Sequence, residues 1–301
     1  MKKIVVTTPT GHIGSKLSTM LLDRHVEITV IARNPEKVAG LKSRGAKVIA
    51  GEHVEGNALE RAVQDADALF WLTPPILTSR DPLGDAQRYA DHAATVIRKY
   101  PELYVVQLSS VGANRPDGTG PIAGLHATEQ RFRAVGRNIV SLRANYFMEN
   151  ILNFLPTIVS DGNIYSNVPG DVRMRQVATV DIAEAAADRL LSPQRGHHIV
   201  DVMGPEDISF DETTAALTAV TGKTIRHVPV PGEALKQGLV NAGTSLEVAE
   251  SFVEMNEALA AGLGSELLGD AKFIGKTTIG QFVRDVFLPA YRQATGLARA
   301  S

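Results

Sequence analysis

The sequence predicts an α/β protein, a doubly wound parallel sheet followed by a smaller, mostly helical C-terminal lobe. Three observations carry that reading. Strand-like and helix-like segments alternate six times in about the first 145 residues, the rhythm of parallel strands joined by helical crossovers. The strand segments are near-continuous apolar and β-branched runs, as expected where both faces are buried. Two glycines, Gly11 and Gly14, stand between the first strand and the first helix, at the edge where folds of this class hold ligands.

Residues 4–8 (Ile-Val-Val-Thr-Thr) read as the first strand, and Ile13, Leu17, Leu21 and Leu22 then recur at helical spacing. Residues 26–32 form the second strand and run into Arg33. A helix over 35–43 has Pro35 in its first turn and stops at Gly45. Residues 46–50 are a third strand, and Asn57 reads as the N-cap of a helix reaching Ala66. A fourth strand, 67–72, is stopped by Thr73-Pro74-Pro75. A helix over 82–100, a strand over 104–108, a helix over 121–135 and a strand over 138–142 complete the alternation. The intervening loop 113–120 is rich in glycine, proline and polar residues.

The pattern changes after Arg143. Residues 145–158 read as helical, 162–169 as turn-rich and 172–177 as a short strand. Asp181 reads as the cap of a helix over 182–191, and 198–202 as a seventh sheet strand. Ser209-Phe210-Asp211-Glu212 is a capping box opening a helix to Val220. Residues 224–230 read as extended, and helical periodicity returns near 231–240, 245–261 and 278–292. The expected division is a nucleotide-binding domain over 1–150, rejoined by 176–204, and a substrate-binding lobe over 151–301 that covers the carboxyl edge of the sheet.

Composition excludes several classes of function. The chain has 301 residues, a formal net charge of -2 and no cysteine. That balance argues against a broad nucleic-acid footprint, and the missing thiols exclude disulfides, Cys-based zinc sites and Cys nucleophiles. The basic run at Arg131, Arg133 and Arg137 ends a predicted helix, where cations suit the dipole, and reads as a solvated face. The adjacent His197 and His198 would point to opposite faces of a strand, so no metal site is expected. No apolar run approaches membrane-spanning length, and a cytoplasmic protein is expected. A homodimer stays open.

The glycine turn carries the chemistry. A strand, a tight turn and a helix N-terminus bring backbone N–H groups and partial positive charge to one place, which suits a dinucleotide diphosphate. An ordinary strand-to-helix turn is the other reading of the same residues. About twenty residues on, where an NAD site would hold an acid for the ribose 2′-OH, the chain has Ala32 and Arg33. A guanidinium there suits a 2′-phosphate, so the expected cofactor is NADP(H), with Arg33 as a solvated loop charge the alternative.

The motifs Val6-Thr7-Thr8-Pro9-Thr10-Gly11-His12-Ile13-Gly14, Ala32-Arg33-Asn34-Pro35-Glu36-Lys37 and Leu108-Ser109-Ser110-Val111-Gly112 recur in a known group. So do His126-Ala127-Thr128-Glu129, the segment Leu142-Arg143-Ala144-Asn145-Tyr146-Phe147-Met148-Glu149-Asn150, and Thr179-Val180-Asp181-Ile182-Ala183-Glu184. In this order the chain resembles the NmrA-like branch of the atypical short-chain dehydrogenase/reductases, which have a Rossmann-type sheet, and most closely its NADPH-dependent quinone reductases. Thr8 stands where that group has its first glycine. The resemblance implies cofactor contacts from Thr8, Thr10, Gly11, His12, Ile13, Gly14 and Arg33. It also implies Thr73 and Pro74 after the fourth strand, Ser109 after the fifth, and Asn150. Tyr146 and Phe147 would border the nicotinamide and a small-molecule substrate.

The usual Tyr-x-x-x-Lys pair of short-chain dehydrogenases is missing, and Leu125 lies four residues before Glu129. Two readings stay open. One is a reductase for quinones or activated enones, which need little proton donation, with His126 or Tyr146 as the acid. The other is a non-catalytic NADP(H)-binding redox sensor. A serine hydrolase lacks support, since no Gly-x-Ser-x-Gly elbow occurs.

Overall fold

The computed structural model describes residues 2–296. In chain order its strands are β1 (Lys3–Val6), β2 (Glu27–Ala32), β3 (Lys47–Ala50), β4 (Ala68–Trp71), β5 (Tyr104–Ser110) and β6 (Asn138–Ala144). They continue as β7 (Asn163–Ser166), β8 (Arg173–Met174), β9 (Gly196–Met203), β10 (Ile208–Ser209), β11 (Arg226–Pro229) and β12 (Ala271–Ile274). Eight of them form one sheet in the order β12-β9-β6-β5-β4-β1-β2-β3. Every pairing in it is parallel. The strand order reverses between β1 and β4, which leaves a crevice at their carboxyl ends.

Two apolar layers hold helices to the sheet. On one face Ile13, Leu17 and Leu21 of helix His12–Asp23 join Ile182, Ala186 and Leu190 of helix Thr179–Leu191 over Val6, Val106 and Leu142. On the other, helices Ala58–Val63, Pro82–Lys99 and Ile122–Val135 place Leu59, Ile97 and Phe132 against Val5, Trp71 and Val105. Both faces are therefore covered, which is why these strands read as unbroken apolar runs. The lobe has its own core of Ile151, Ile158, Ile164, Leu217, Phe282 and Phe287. Two small sheets, β11–β7 parallel and β10–β8 antiparallel, frame it.

The departures from expectation have physical causes. β12 falls within the segment read as lobe, yet it pairs with β9 along the sheet edge. Four residues alternating between half-buried and exposed, one of them Lys272, carry no buried-strand signature. Asp181 does not cap its helix: the helix starts at Thr179, and the Glu149 carboxylate accepts the Thr179 N–H at 2.9 Å. Asp181 instead accepts from the N–H and hydroxyl of Thr277, at 3.0 and 3.1 Å. Tertiary partners have displaced the local cap. Asn57 holds its N-cap position without a side-chain bond. The 145–158 segment is a 3-10 turn, Met148–Phe154, followed by a short helix, Leu155–Ser160. The capping box at Ser209 and Glu212 forms as read.

One contact between distant elements shapes the site. Ser245, the N-cap of helix Leu246–Ala260, donates its N–H to the Leu77 carbonyl at 2.9 Å and its hydroxyl to the Ser79 carbonyl at 2.5 Å. The loop after β4 is thereby tied to the lobe.

Candidate functional site

One cleft of about 1180 Å³ runs along the carboxyl edge of the sheet. That exceeds the roughly 300–1,000 Å³ of a pocket for one drug-sized ligand. Of the residues marked in the sequence, Thr8, Thr10, Gly11, His12, Ile13, Arg33, Thr73, Pro74, Ser109, Tyr146, Phe147 and Asn150 line it. Gly14 and His126 do not.

At the first turn the chain leaves polar groups open. Gly11 is the N-cap of helix His12–Asp23 and no side chain caps it. Its N–H closes the turn on the Thr8 carbonyl at 3.0 Å. Thr8 has φ 52, a left-handed conformation that β-branched residues rarely adopt. Its Oγ1 is buried with no hydrogen-bond partner among the described residues. Gly14 works from behind: a methyl there would overlap the Thr8 carbonyl oxygen, so the helix sits tight on the turn only because Gly14 lacks one. An uncapped helix N-terminus beside an orphaned hydroxyl is a fitting cradle for an anionic diphosphate.

Beyond β2 the wall becomes cationic and open. Arg33 lies with 81% of its side chain exposed, Nε 3.7 Å from Glu52. Lys37 lines the same end and is also exposed. His53, between them and β4, is buried edge-on against Trp71 and contacts the Leu72 carbonyl through Nε2 at 3.0 Å. Burial pushes its pKa down to about 4, so the ring is neutral at pH 7.

The opposite end is apolar. Pro121, Ile122 and Leu125 come from the fifth crossover, Tyr146 and Phe147 from the segment after β6, and Phe252, Met255 and Leu259 from the lobe. The Tyr146 ring packs edge-on to Phe210 at 5.6 Å. Burial raises its phenol to about 12, against a hydrogen bond from Asn150 that lowers it. His126 is half-buried and spends Nδ1 on the Ala113 carbonyl at 2.8 Å, so its ring braces a loop rather than facing the cleft. Ser109 donates its hydroxyl to Glu129 Oε1 at 2.6 Å, and Glu129 is gripped by the Arg143 guanidinium at 3.0 and 2.7 Å.

Several of these residues were not legible beforehand. Glu149 lines the cleft, 4% exposed, and is held by Lys16 at 3.3 Å and by Thr179. Its partners lie 133 and 30 positions away, so no spacing rule finds them. Phe252, Met255 and Leu259 share one helical face, a signal indistinguishable from plain core. Arg143 and Glu129 did leave a trace, since a charged residue inside the apolar strand Asn-Ile-Val-Ser-Leu-Arg-Ala demands a buried partner. Among the described residues no group of three or more His, Asp or Glu side chains is placed to hold a metal, and no helix is long and apolar enough to cross a membrane.

Comparison with known proteins places this geometry. The NmrA-like family pattern matches residues 1–268. An NAD(P)H azoreductase of Xenophilus azovorans is 26% identical over 276 residues, 91% of this chain and 92% of its own. A (4-alkanoyl-5-oxo-2,5-dihydrofuran-3-yl)methyl phosphate reductase of Streptomyces griseus subsp. griseus is 30% identical over 261 residues, 86% of this chain and 88% of its own. The crystal structure of Citrobacter sp. triphenylmethane reductase complexed with NADP(H) superposes with a TM-score of 0.73 at 24% identity, covering 88% of this chain and 92% of that one.

Proposed function

This chain belongs to the NmrA-like family, and we propose that it is an NADPH-dependent reductase acting on a small, uncharged, apolar acceptor such as a quinone or activated enone. The observation that carries this is the polarity of one cleft. It is cationic and exposed at Arg33 and Lys37, open to an anion at the Gly11 turn, and apolar where the lobe closes over it. Reductase relatives that this chain matches over most of its length support the same reading.

On this reading Thr8, Thr10, Gly11, His12 and Ile13 hold the diphosphate, and Arg33 with Lys37 holds the 2′-phosphate. Thr73, Pro74, Ser109 and Asn150 flank the nicotinamide, which when bound supplies the hydride. The remaining work belongs to the chain. Leu125, Phe147, Phe252, Met255 and Leu259 exclude water and orient a flat apolar acceptor, converting an encounter into a positioned step. Tyr146 stays protonated throughout the physiological range, since a phenol near 12 yields its proton poorly at pH 7. His126 is turned to Ala113 and Glu149 is held by Lys16 and Thr179, so among the described residues neither side chain is left free to serve the acceptor end. Acceptors whose anionic reduced forms can leave and take their proton from bulk water suit such a site; simple ketones, which need protonation as hydride arrives, do not.

A screen of NADPH oxidation with quinones, enones, azo compounds and simple ketones tests this. Turnover is expected with the first three classes and not with ketones. Activity confined to ketones would overturn the acceptor assignment. Tight NADPH binding without turnover on any of them would favour a sensor of redox state.

A further inference from the structure

We propose that Glu129, fixed by Arg143, sets the direction of the Ser109 hydroxyl, so that Ser109 meets the nicotinamide carboxamide as a hydrogen-bond acceptor and never as a donor. This rests on the cofactor reading above.

Ser109, Arg143 and Asp201 stand side by side in register on β5, β6 and β9, at the level where these strands open into the cleft. All three are buried. Glu129 reaches them from helix Ile122–Val135 and is 0% exposed. The guanidinium takes both carboxylate oxygens, through Nε at 3.0 Å and Nη2 at 2.7 Å, and a carboxylate in that fork has acceptors only. The 2.6 Å bond between Ser109 Oγ and Glu129 Oε1 must therefore use the serine's proton. A hydroxyl has one proton and two lone pairs. With the proton committed behind the strand, only lone pairs remain for the cleft, which Ser109 lines.

On the cofactor reading a specific group belongs there. In a doubly wound sheet the two halves of a dinucleotide lie on either side of the point where strand order reverses. Arg33 and Lys37 mark the β2 side, so β5 lies under the nicotinamide half. The carboxamide of that ring offers an NH2 donor and a carbonyl acceptor, and an acceptor-only serine selects the NH2. Glu129 is thus a positioning residue: it touches no ligand and acts by orienting one that does. Asp201 completes the cluster without altering it. Its Oδ2 accepts the Gly269 N–H at 2.7 Å, and burial raises its pKa against the pull of Arg143.

The experiment compares NADPH with its 3-acetylpyridine analogue, in which a methyl replaces the carboxamide NH2. Binding of each is measured by fluorescence titration, with 2′,5′-ADP as a probe of the adenosine half alone. Wild type is expected to prefer NADPH by about tenfold, the scale of one lost hydrogen bond to a buried group. Ser109→Ala removes the acceptor and leaves the ion pair, and should bring the ratio close to one with 2′,5′-ADP binding unchanged. Replacing the buried pair by apolar side chains, Glu129→Leu with Arg143→Met, is tolerated by folds of this kind, frees the serine proton to turn toward the cleft, and should lower the ratio as well. A double variant that folds and keeps the wild-type ratio overturns the role given to Glu129. A wild-type ratio near one, or a ratio that survives Ser109→Ala, overturns the inference while the cofactor reading stands. Failure of wild type to bind NADPH at all would instead sink that reading.

Discussion

Two arginines, one on the wall of the cleft and one buried behind it, are used in opposite ways. Arg33 has 81% of its side chain in solvent and a single loose approach to Glu52 at 3.7 Å. Arg143 is 7% exposed and holds Glu129 through two short bonds. An exposed guanidinium keeps its donors free for a ligand and adds little to folding, because water screens its ion pair. A buried one has already spent its donors. Removing its partner leaves a charge with nowhere to go. The comparison teaches that charge near a site is not evidence of ligand binding until its existing commitments are counted.

Substitution separates the two uses most sharply at the buried end. Arg143→Ala strands the Glu129 carboxylate beneath β5, and breaking a buried pair in this way costs about 3–5 kcal/mol. Urea unfolding should show a loss of that size. A loss below about 1 kcal/mol would mean that water reaches Glu129, and the contrast with Arg33 would fail.

At the exposed end the effect moves from stability to binding. Arg33→Ala should leave the free energy of unfolding within about 0.5 kcal/mol of wild type. NADPH affinity should fall by about tenfold, the value of one charge-assisted bond, with NADH affinity unchanged. If Lys37→Ala shows the larger loss, the two cations exchange roles and the cleft polarity survives. If neither variant changes NADPH relative to NADH, the assignment of this end is wrong.

The same contrast explains what the sequence made legible. The turn at Gly11 and Gly14, the strand leading into it and Arg33 lie within about thirty residues of one another, so spacing rules that rest on local geometry apply. The doubly wound sheet was readable for a related reason, since strands buried on both faces leave apolar runs such as Ala-Leu-Phe-Trp in β4. The apolar end of the cleft is assembled from a crossover helix, the segment after β6 and a lobe helix a hundred residues further on. Nothing local marks Phe252 or Met255 as lining rather than core. His126 shows the same limit from the other side, because a histidine near a predicted site is drawn off by a carbonyl thirteen residues away. β12 escaped because an edge strand of four residues carries too short a pattern.

The smallest expected effect concerns Thr8, where the local and ligand-directed demands on one residue conflict. Its φ of 52 places a β-branched side chain in the left-handed region, at a cost of about 1–3 kcal/mol. Glycine would adopt the same conformation freely, while raising the entropy of the unfolded chain by about 0.5–1 kcal/mol. The hydroxyl returns nothing to the fold, since Oγ1 is buried with no partner among the described residues. Thr8→Gly should therefore raise stability by about 1 kcal/mol, read as an upward shift in thermal midpoint. If Oγ1 is held in reserve for the diphosphate, NADPH affinity should fall several-fold in the same variant, on the order of one neutral hydrogen bond. The two readouts then move in opposite directions, which a purely structural threonine would not produce. Rising stability with unchanged affinity would leave Thr8 as strain without a ligand, and falling stability would show that the turn bears no strain to relieve.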